Sequence, residues 1–283
     1  MAQGIEYALA AMICFGLADF VYKQAAGAGV KAHHFLMLQA WFFAPTVLLY
    51  GISSGTLAFG LPALWGAAAG FFVYAGLYCF ARSLQGGAIS INAPIFRLSF
   101  TITAALAVWL LHEPLTPLKL AGIGLALIAA WLLLGGGSGA PAHRASRASL
   151  AQVLVAMLSI GIANFIYKVG ILNGASPASL LVAQAAVFIS LATGFACAID
   201  RGLRPPRAAL PRAAIAAMLL VFAFILLIEG LAHGQASVLV PMAQMGFVVT
   251  SALGVIVLRE SFGARKSAGL ATALAALACL ARS

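Results

Sequence analysis

The chain has 283 residues, of which 64% are hydrophobic and only 8% charged, and its mean hydropathy is +1.07. Soluble domains are roughly half apolar and a quarter charged, so a water-soluble enzyme or nucleic-acid-binding protein is excluded despite the net charge of +10. The composition predicts an all-α integral membrane protein, because a helix that crosses a bilayer needs about 20 mainly apolar residues and runs of that length recur throughout.

Taken in chain order, the apolar runs predict ten transmembrane helices over 5–26, 33–52, 62–83, 88–110, 116–134, 149–170, 177–199, 211–232, 236–257 and 263–281. Met1 to Glu6 lack the basic region of a signal peptide, so the first helix is expected to be retained. Glycines fall inside the predicted spans (Gly66, Gly70, Gly76, Gly122), where small residues let helices approach closely. The stretch 135–148 is a Gly/Ser/Arg linker. It separates residues 1–134 from residues 149–283.

Those two segments are copies of one another. Phe15-Gly16-Leu17-Ala18-Asp19-Phe20-Val21-Tyr22-Lys23 returns at an offset of 145 as Ile160-Gly161-Ile162-Ala163-Asn164-Phe165-Ile166-Tyr167-Lys168. At an offset of 147, Pro94 meets Pro241, Phe100 meets Phe247, Glu113 meets Glu260 and Lys119 meets Lys266. Five spans per copy is an odd number, so the second copy is expected upside down relative to the first, around a central cavity.

Positive charge is distributed unevenly among the connections. Those after the first, third, fifth, seventh and ninth helices carry Lys23, Lys31, Arg82, Arg144, Arg147, Arg201, Arg204, Arg207, Arg212, Arg259, Arg265 and Lys266, whereas the other side has only Lys119, Lys168 and Arg282. The positive-inside rule then predicts both termini outside the cytoplasm. The basic loop 200–212 reads as a headgroup contact.

Charge inside a bilayer marks a substrate or ion pathway by default. Arg97 stands mid-helix in Pro94-Ile95-Phe96-Arg97, and its counterpart is Gln244 in Pro241-Met242-Ala243-Gln244. Each polar side chain follows a helix-breaking proline by three positions, so Pro94 and Pro241 are the expected helix breaks and Arg97 with Gln244 the expected cavity poles. The structural alternative has Arg97 satisfied by loosened carbonyls or by Glu229. In the third helix Phe71, Tyr74, Tyr78 and Arg82 share one stripe. With Phe96 and Phe100 they offer an aromatic wall.

Asp19 and Asn164 hold equivalent places in the first and sixth helices. Asp19 reads as a proton or ammonium acceptor, or as the intrahelical partner of Lys23. Gln39 and Gln184 read as interhelical hydrogen-bond partners. Arg82 and Glu229, also equivalent, are the candidate gating charges, and Glu229 is one turn from His233. No nucleophile elbow, zincin motif or Walker A pattern is present, so no enzyme activity and no cofactor are expected, and transport would be driven by a gradient. The four cysteines lie singly in apolar runs without metal-ligand spacing. His33-His34, at the start of the second helix, lacks further ligand partners in sequence and reads as interfacial.

The halves end in Leu111-His112-Glu113-Pro114-Leu115-Thr116-Pro117-Leu118-Lys119-Leu120-Ala121-Gly122 and Leu258-Arg259-Glu260-Ser261-Phe262-Gly263-Ala264-Arg265-Lys266-Ser267-Ala268-Gly269. This Glu, short turn and small-residue helix, found twice in register, resembles the EamA repeat of the drug/metabolite transporter superfamily over nearly the whole chain. Physically, Glu113 and Glu260 are expected to accept from the free amides of the helix that follows each of them. The resemblance implies a cavity lined by the first, third, fourth, sixth, eighth and ninth helices, with the fifth and tenth peripheral. It further implies an exporter of amino acids, aromatic and large apolar ones included, in the bacterial inner membrane; a monomer is the expected state, although the sequence carries no signal for it. Arg97 would hold the carboxylate, Tyr78, Phe96 and Phe100 the side chain, and Gln244 a polar edge. Aromatic cations are the alternative substrate, and a non-transporting scaffold or intramembrane enzyme the alternative class.

Overall fold

The computed structural model describes residues 2–86, 92, 95–134, 147–201, 207–256 and 263–283, and among them every regular element is helical. In order these are α1 (Ala2–Gly27), α2 (Ala32–Ser54), α3 (Leu64–Gly86), α4 (Ser99–Leu110), α5 (Pro117–Leu134) and α6 (Arg147–Leu172). They continue as α7 (Pro177–Asp200), α8 (Leu210–His233), α9 (Ala236–Gln244), α10 (Phe247–Ile256) and α11 (Ala264–Ala281). Single 3₁₀ turns at Leu61–Ala63 and Arg207–Ala209 open α3 and α8.

Six helices are long and apolar enough to cross a membrane: Gln3–Gly27, Ala32–Ser54, Leu61–Gln85, Arg147–Leu172, Pro177–Asp200 and Arg207–His233. The other four apolar helices, Ile95–Leu110, Pro117–Leu132, Ala236–Thr250 and Ser267–Ala281, are shorter. Ten full-length spans are therefore not seen among the described residues. Two of the short segments are expected to continue into residues 88–94 and 257, which lie mostly outside the described set. The protein is a multi-pass membrane protein. Its outer surface agrees: Phe71, Trp109, Trp131 and Phe222 are each more than half exposed, as suits lipid rather than water.

Local geometry repeats along with the sequence. After α1, Gly29 takes φ 71°; its N–H donates to the carbonyl of Ala26 and that of Val30 to Ala25, a Schellman turn. After α6, Gly174 (φ 86°) and Ala175 make the same two bonds to Ile171 and Gly170. Tyr22 donates to Gln39 and Tyr167 to Gln184, so both glutamines do join helices.

The packing exchanges partners between halves. Helix α1 packs on α8, α9 and α10, and correspondingly α3 and α4 pack on α6. The equivalent helices α2 and α7 pack together, as do α5 and α11. Helices α2 and α7 are antiparallel, since His34 at the start of α2 meets Asp200 at the end of α7, while the residues after α2 meet the start of α7. Lipid tails are as apolar as Leu, so close backbone approach holds such helices together. A Cβ on Gly16 would come within 2.4 Å of the Gly246 carbonyl oxygen, and one on Gly161 within 2.8 Å of the Ser99 carbonyl oxygen. At both contacts a threonine seals the approach: Thr250 donates to the Gly16 carbonyl and Thr103 to that of Gly161, each at 2.9 Å.

Candidate functional site

Two helices lose regular geometry at equivalent residues. The N–H of Leu98 bonds back only three residues, to Ile95, and that of Met245 does the same to Met242. Each break immediately follows the polar residue, Arg97 or Gln244. Pro241 is not itself the break: it lies inside α9, and the helix yields four residues later, where Gly246 is pressed against Gly16. Pro94 lies outside the described residues.

Arg97 and Gln244 meet across the breaks, with the Arg97 guanidinium donating to Gln244 Oε1 at 2.8 Å. A second guanidinium nitrogen is ion-paired with Asp19 of α1. Asp19 thus pairs with Arg97 of another helix, whereas Glu229 is not the partner of Arg97; the Lys23 side chain lies outside the described ones. The two partners differ in access: 4% of the Arg97 side chain is exposed and 23% of Asp19, so the pair is approached from the aspartate side. Asn164, equivalent to Asp19, is buried, and its Nδ2 makes no hydrogen bond among the described residues.

These four polar side chains line one cavity among the helices. Its walls come from α1, α3, the turn before α4, α6, α8 and α9, and no described residue of α5 or α11 contributes. Phe96 belongs to the wall, stacked on Phe80 with centroids 4.0 Å apart; Phe15 meets Phe224 edge-on at 5.6 Å. The Arg97 guanidinium lies 5.5 Å from the Phe96 ring centre. A neighbouring tight crevice shares Val73, Leu77 and Phe224 and is bounded by Gln39, Gln184, Phe43 and Phe188.

Four expected wall aromatics stand elsewhere, Phe71 among them on the exposed outer surface. Tyr74 and Tyr78 stack on each other at 6.0 Å and turn their edges to Phe195 of α7, away from the larger cavity. Phe100 is fully enclosed in the core. Helix α3 instead presents Val73, Leu77 and Phe80, the neighbouring stripe, because Gly66 and Gly70 lay its tyrosine side against α7. These apolar wall residues carry no chemical signal in the sequence; only the glycine positions hinted at the rotation of α3.

The charges Arg82 and Glu229 are not a pair. Arg82 donates to the Tyr78 hydroxyl near the end of α3, on the rim where Gln85 reaches the α1–α2 turn. Glu229 accepts from Tyr50 near the end of α2, at the opposite rim. His233 bonds the Glu229 carbonyl one turn away.

Glu113 does cap a helix, but in the other half of the chain. Its carboxylate accepts from the N–H groups of Ala236 and Ser237, each at 2.9 Å, and from the Ser237 hydroxyl, at the start of α9 rather than of α5. Lys119, fully buried, donates to Ser237 Oγ, Gln235 Oε1 and the Pro114 carbonyl. Lys168 donates to the carbonyls of Leu231 and Gly234 at the end of α8, where positive charge is favoured. Their repetition at fixed offsets flagged both lysines, but not their partners. Glu260 lies outside the described residues. His33 and His34 have a third neighbour that the sequence did not suggest, Asp200.

No curated protein matches the chain significantly. A solved structure described only as "Crystal structure of protein" superposes with a TM-score of 0.79 at 14% identity, covering 99% of this chain and 96% of that one. That likeness shows the fold. Over residues 2–135, just under half of the chain, the sequence matches the EamA-like transporter family.

Proposed function

We propose that the protein is a secondary transporter that exports amino acids, aromatic and other large apolar ones included, across the bacterial inner membrane by alternating access. The observation that carries this reading is the cavity's inventory: one guanidinium, one carboxylate and two amides, enclosed by Phe and Tyr side chains. A zwitterion matches it. Its carboxylate would replace Asp19 on Arg97, a bidentate partner for the guanidinium. Its ammonium would take Asp19, and Gln244 and the unused Asn164 amide would hold the polar edge. The apolar side chain would lie between Phe96 and Phe224. The substrate would thus exchange one ion pair for two without leaving a buried charge alone.

The antiparallel packing of α2 on α7 and the offset-related contacts support two inverted five-helix repeats, residues 1–134 and 149–283. The matched helix breaks beside Arg97 and Gln244 support a binding site between them. The resemblance of two repeats, ten predicted helices and this chain length to the aromatic amino-acid exporter YddG supports the same substrates. An aromatic cation is the poorer match, since the acid in the cavity is already held by Arg97 and the surplus amides favour an acceptor-bearing solute.

Counterflow of labelled phenylalanine, tyrosine and leucine into proteoliposomes tests the reading. Saturable, mutually competitive uptake is expected, with a strong loss in Arg97→Ala. Absence of counterflow for every amino acid tried would remove the exporter reading, leaving a scaffold or another solute. Full transport by Arg97→Ala would remove only the carboxylate assignment.

A further inference from the structure

Away from the cavity, the start of α2 and the end of α7 meet on the cation-rich rim. There His34 Nε2 lies 2.5 Å and His33 Nε2 3.3 Å from the same oxygen, Asp200 Oδ2. The three side chains are only 11–15% exposed, and all three donor atoms lie within 4.8 Å of one another. His33 Nε2 is buried and makes no hydrogen bond. A buried ring nitrogen left with only this long carboxylate contact keeps a desolvation cost that a ligand would remove.

The fold does not demand this cluster. At an offset of 145, His33, His34 and Asp200 correspond to Ala178, Ser179 and Gly55 on the opposite rim. There the same α2–α7 seam is closed by hydroxyls alone: Ser179 Oγ accepts from the Ala58 N–H and Ser176 Oγ donates to the Thr56 carbonyl. Two imidazoles and a carboxylate therefore exceed what closing the seam requires.

We propose that His33, His34 and Asp200 bind a divalent first-row transition-metal ion such as Zn²⁺ that bridges α2 and α7. Neutral imidazole with one carboxylate is a donor set for such ions and not for Mg²⁺ or Ca²⁺, which need more oxygen. Exposed Lys31 and Arg201, flanking the cluster, also disfavour an ion held by charge alone. Donors about 2.0–2.1 Å from a tetrahedral ion lie about 3.3 Å apart. The His33–Asp200 spacing already meets this, and the His34–Asp200 spacing opens by less than 1 Å, roughly, as the ion takes the place of the shared proton. Three protein ligands leave a fourth position for water.

The test uses the whole chain in detergent, free of any polyhistidine tag and stripped of metal. Titration with Co²⁺ is expected to give one ion per chain with the visible bands of a four- or five-coordinate site, displaced by Zn²⁺. His34→Ala and Asp200→Asn should each weaken Zn²⁺ binding by more than about tenfold, the lower end of what loss of even an outer-shell partner costs. His233→Ala should leave it unchanged. Asp200→Asn keeps the shape of the side chain and a hydrogen bond to His34, so it decides the matter if the alanine variant does not fold. The proposal is overturned if the wild type shows no saturable binding, or if Asp200→Asn binds as the wild type does.

Discussion

Asp19, Arg97 and Gln244 form one unit in which each side chain answers for another. With Arg97 replaced by Gln, the carboxylate of Asp19 is left in an apolar cavity. With Asp19 replaced by Asn, the guanidinium keeps only Gln244. Because Asp19 is partly exposed, each single change is expected to cost about 1–3 kcal/mol, less than the roughly 3–5 kcal/mol of a fully enclosed pair. The double variant Asp19→Asn/Arg97→Gln should cost less than the sum, and thermal unfolding of all four proteins in detergent measures the coupling. Strict additivity would mean that the pair contributes nothing. Glu113 supplies a second prediction at this scale. Its two backbone amides and the Ser237 hydroxyl have no substitute acceptor once it is removed, so Glu113→Ala should lose about 2–3 kcal/mol, while Glu113→Gln, which keeps an acceptor oxygen, should lose less. Equal melting of the two variants would show that the cap does not bear on stability.

Among elements, one of the close approaches is that of α1 to the break between α9 and α10. Gly16 and Gly246 let two backbones touch, and Thr250 ties them. Gly16→Ala places a methyl group against backbone that cannot move aside, with an expected cost of about 1–3 kcal/mol. Gly124→Ala, with nothing within 4 Å of the added carbon, should be neutral or raise stability by about 0.5–1 kcal/mol through helix propensity. A side-by-side melting comparison separates the two; similar shifts would contradict the contact. The aromatic stripe of α3 teaches a related point. Residues 71, 74, 78 and 82 do share a face, as periodicity requires, yet nothing in the spacing says which neighbour that face meets. The cavity took Val73, Leu77 and Phe80, one step around the helix, because α7 occupies the tyrosine side.

For the whole molecule, the two rims differ in charge. Lys119 and Lys168, two of the three cations on the poorer rim, are spent on carbonyls and side chains at helix ends. Lys31, Arg201 and Arg265 on the richer rim are exposed. A cytoplasmic location of the richer rim is expected, and single cysteines in a background lacking the four native ones check it. Lys31→Cys should react with a membrane-impermeant maleimide only in inside-out vesicles, and Thr56→Cys only in intact cells. The reverse pattern would place both termini in the cytoplasm.

Composition and periodicity determined the class of this protein, its helices and its duplication, since hydropathy and a repeat offset are properties of the chain read in line. The turns at Gly29 and Gly174 and the paired bonds Tyr22–Gln39 and Tyr167–Gln184 follow from local sequence written twice. The equivalence of Arg97 and Gln244 was likewise legible from the repeat offset, but that the two side chains meet was not. Tertiary structure alone decided the rest: Asp19 as the partner of Arg97, Glu113 as the cap of α9 rather than α5, Asp200 beside His33 and His34. Each of these joins residues from different helices at a separation no local pattern encodes, and each depends on how helices that pack across the two halves are rotated about their own axes. Close-packed glycines and side-chain volumes set that rotation, and they act only once the bundle has assembled.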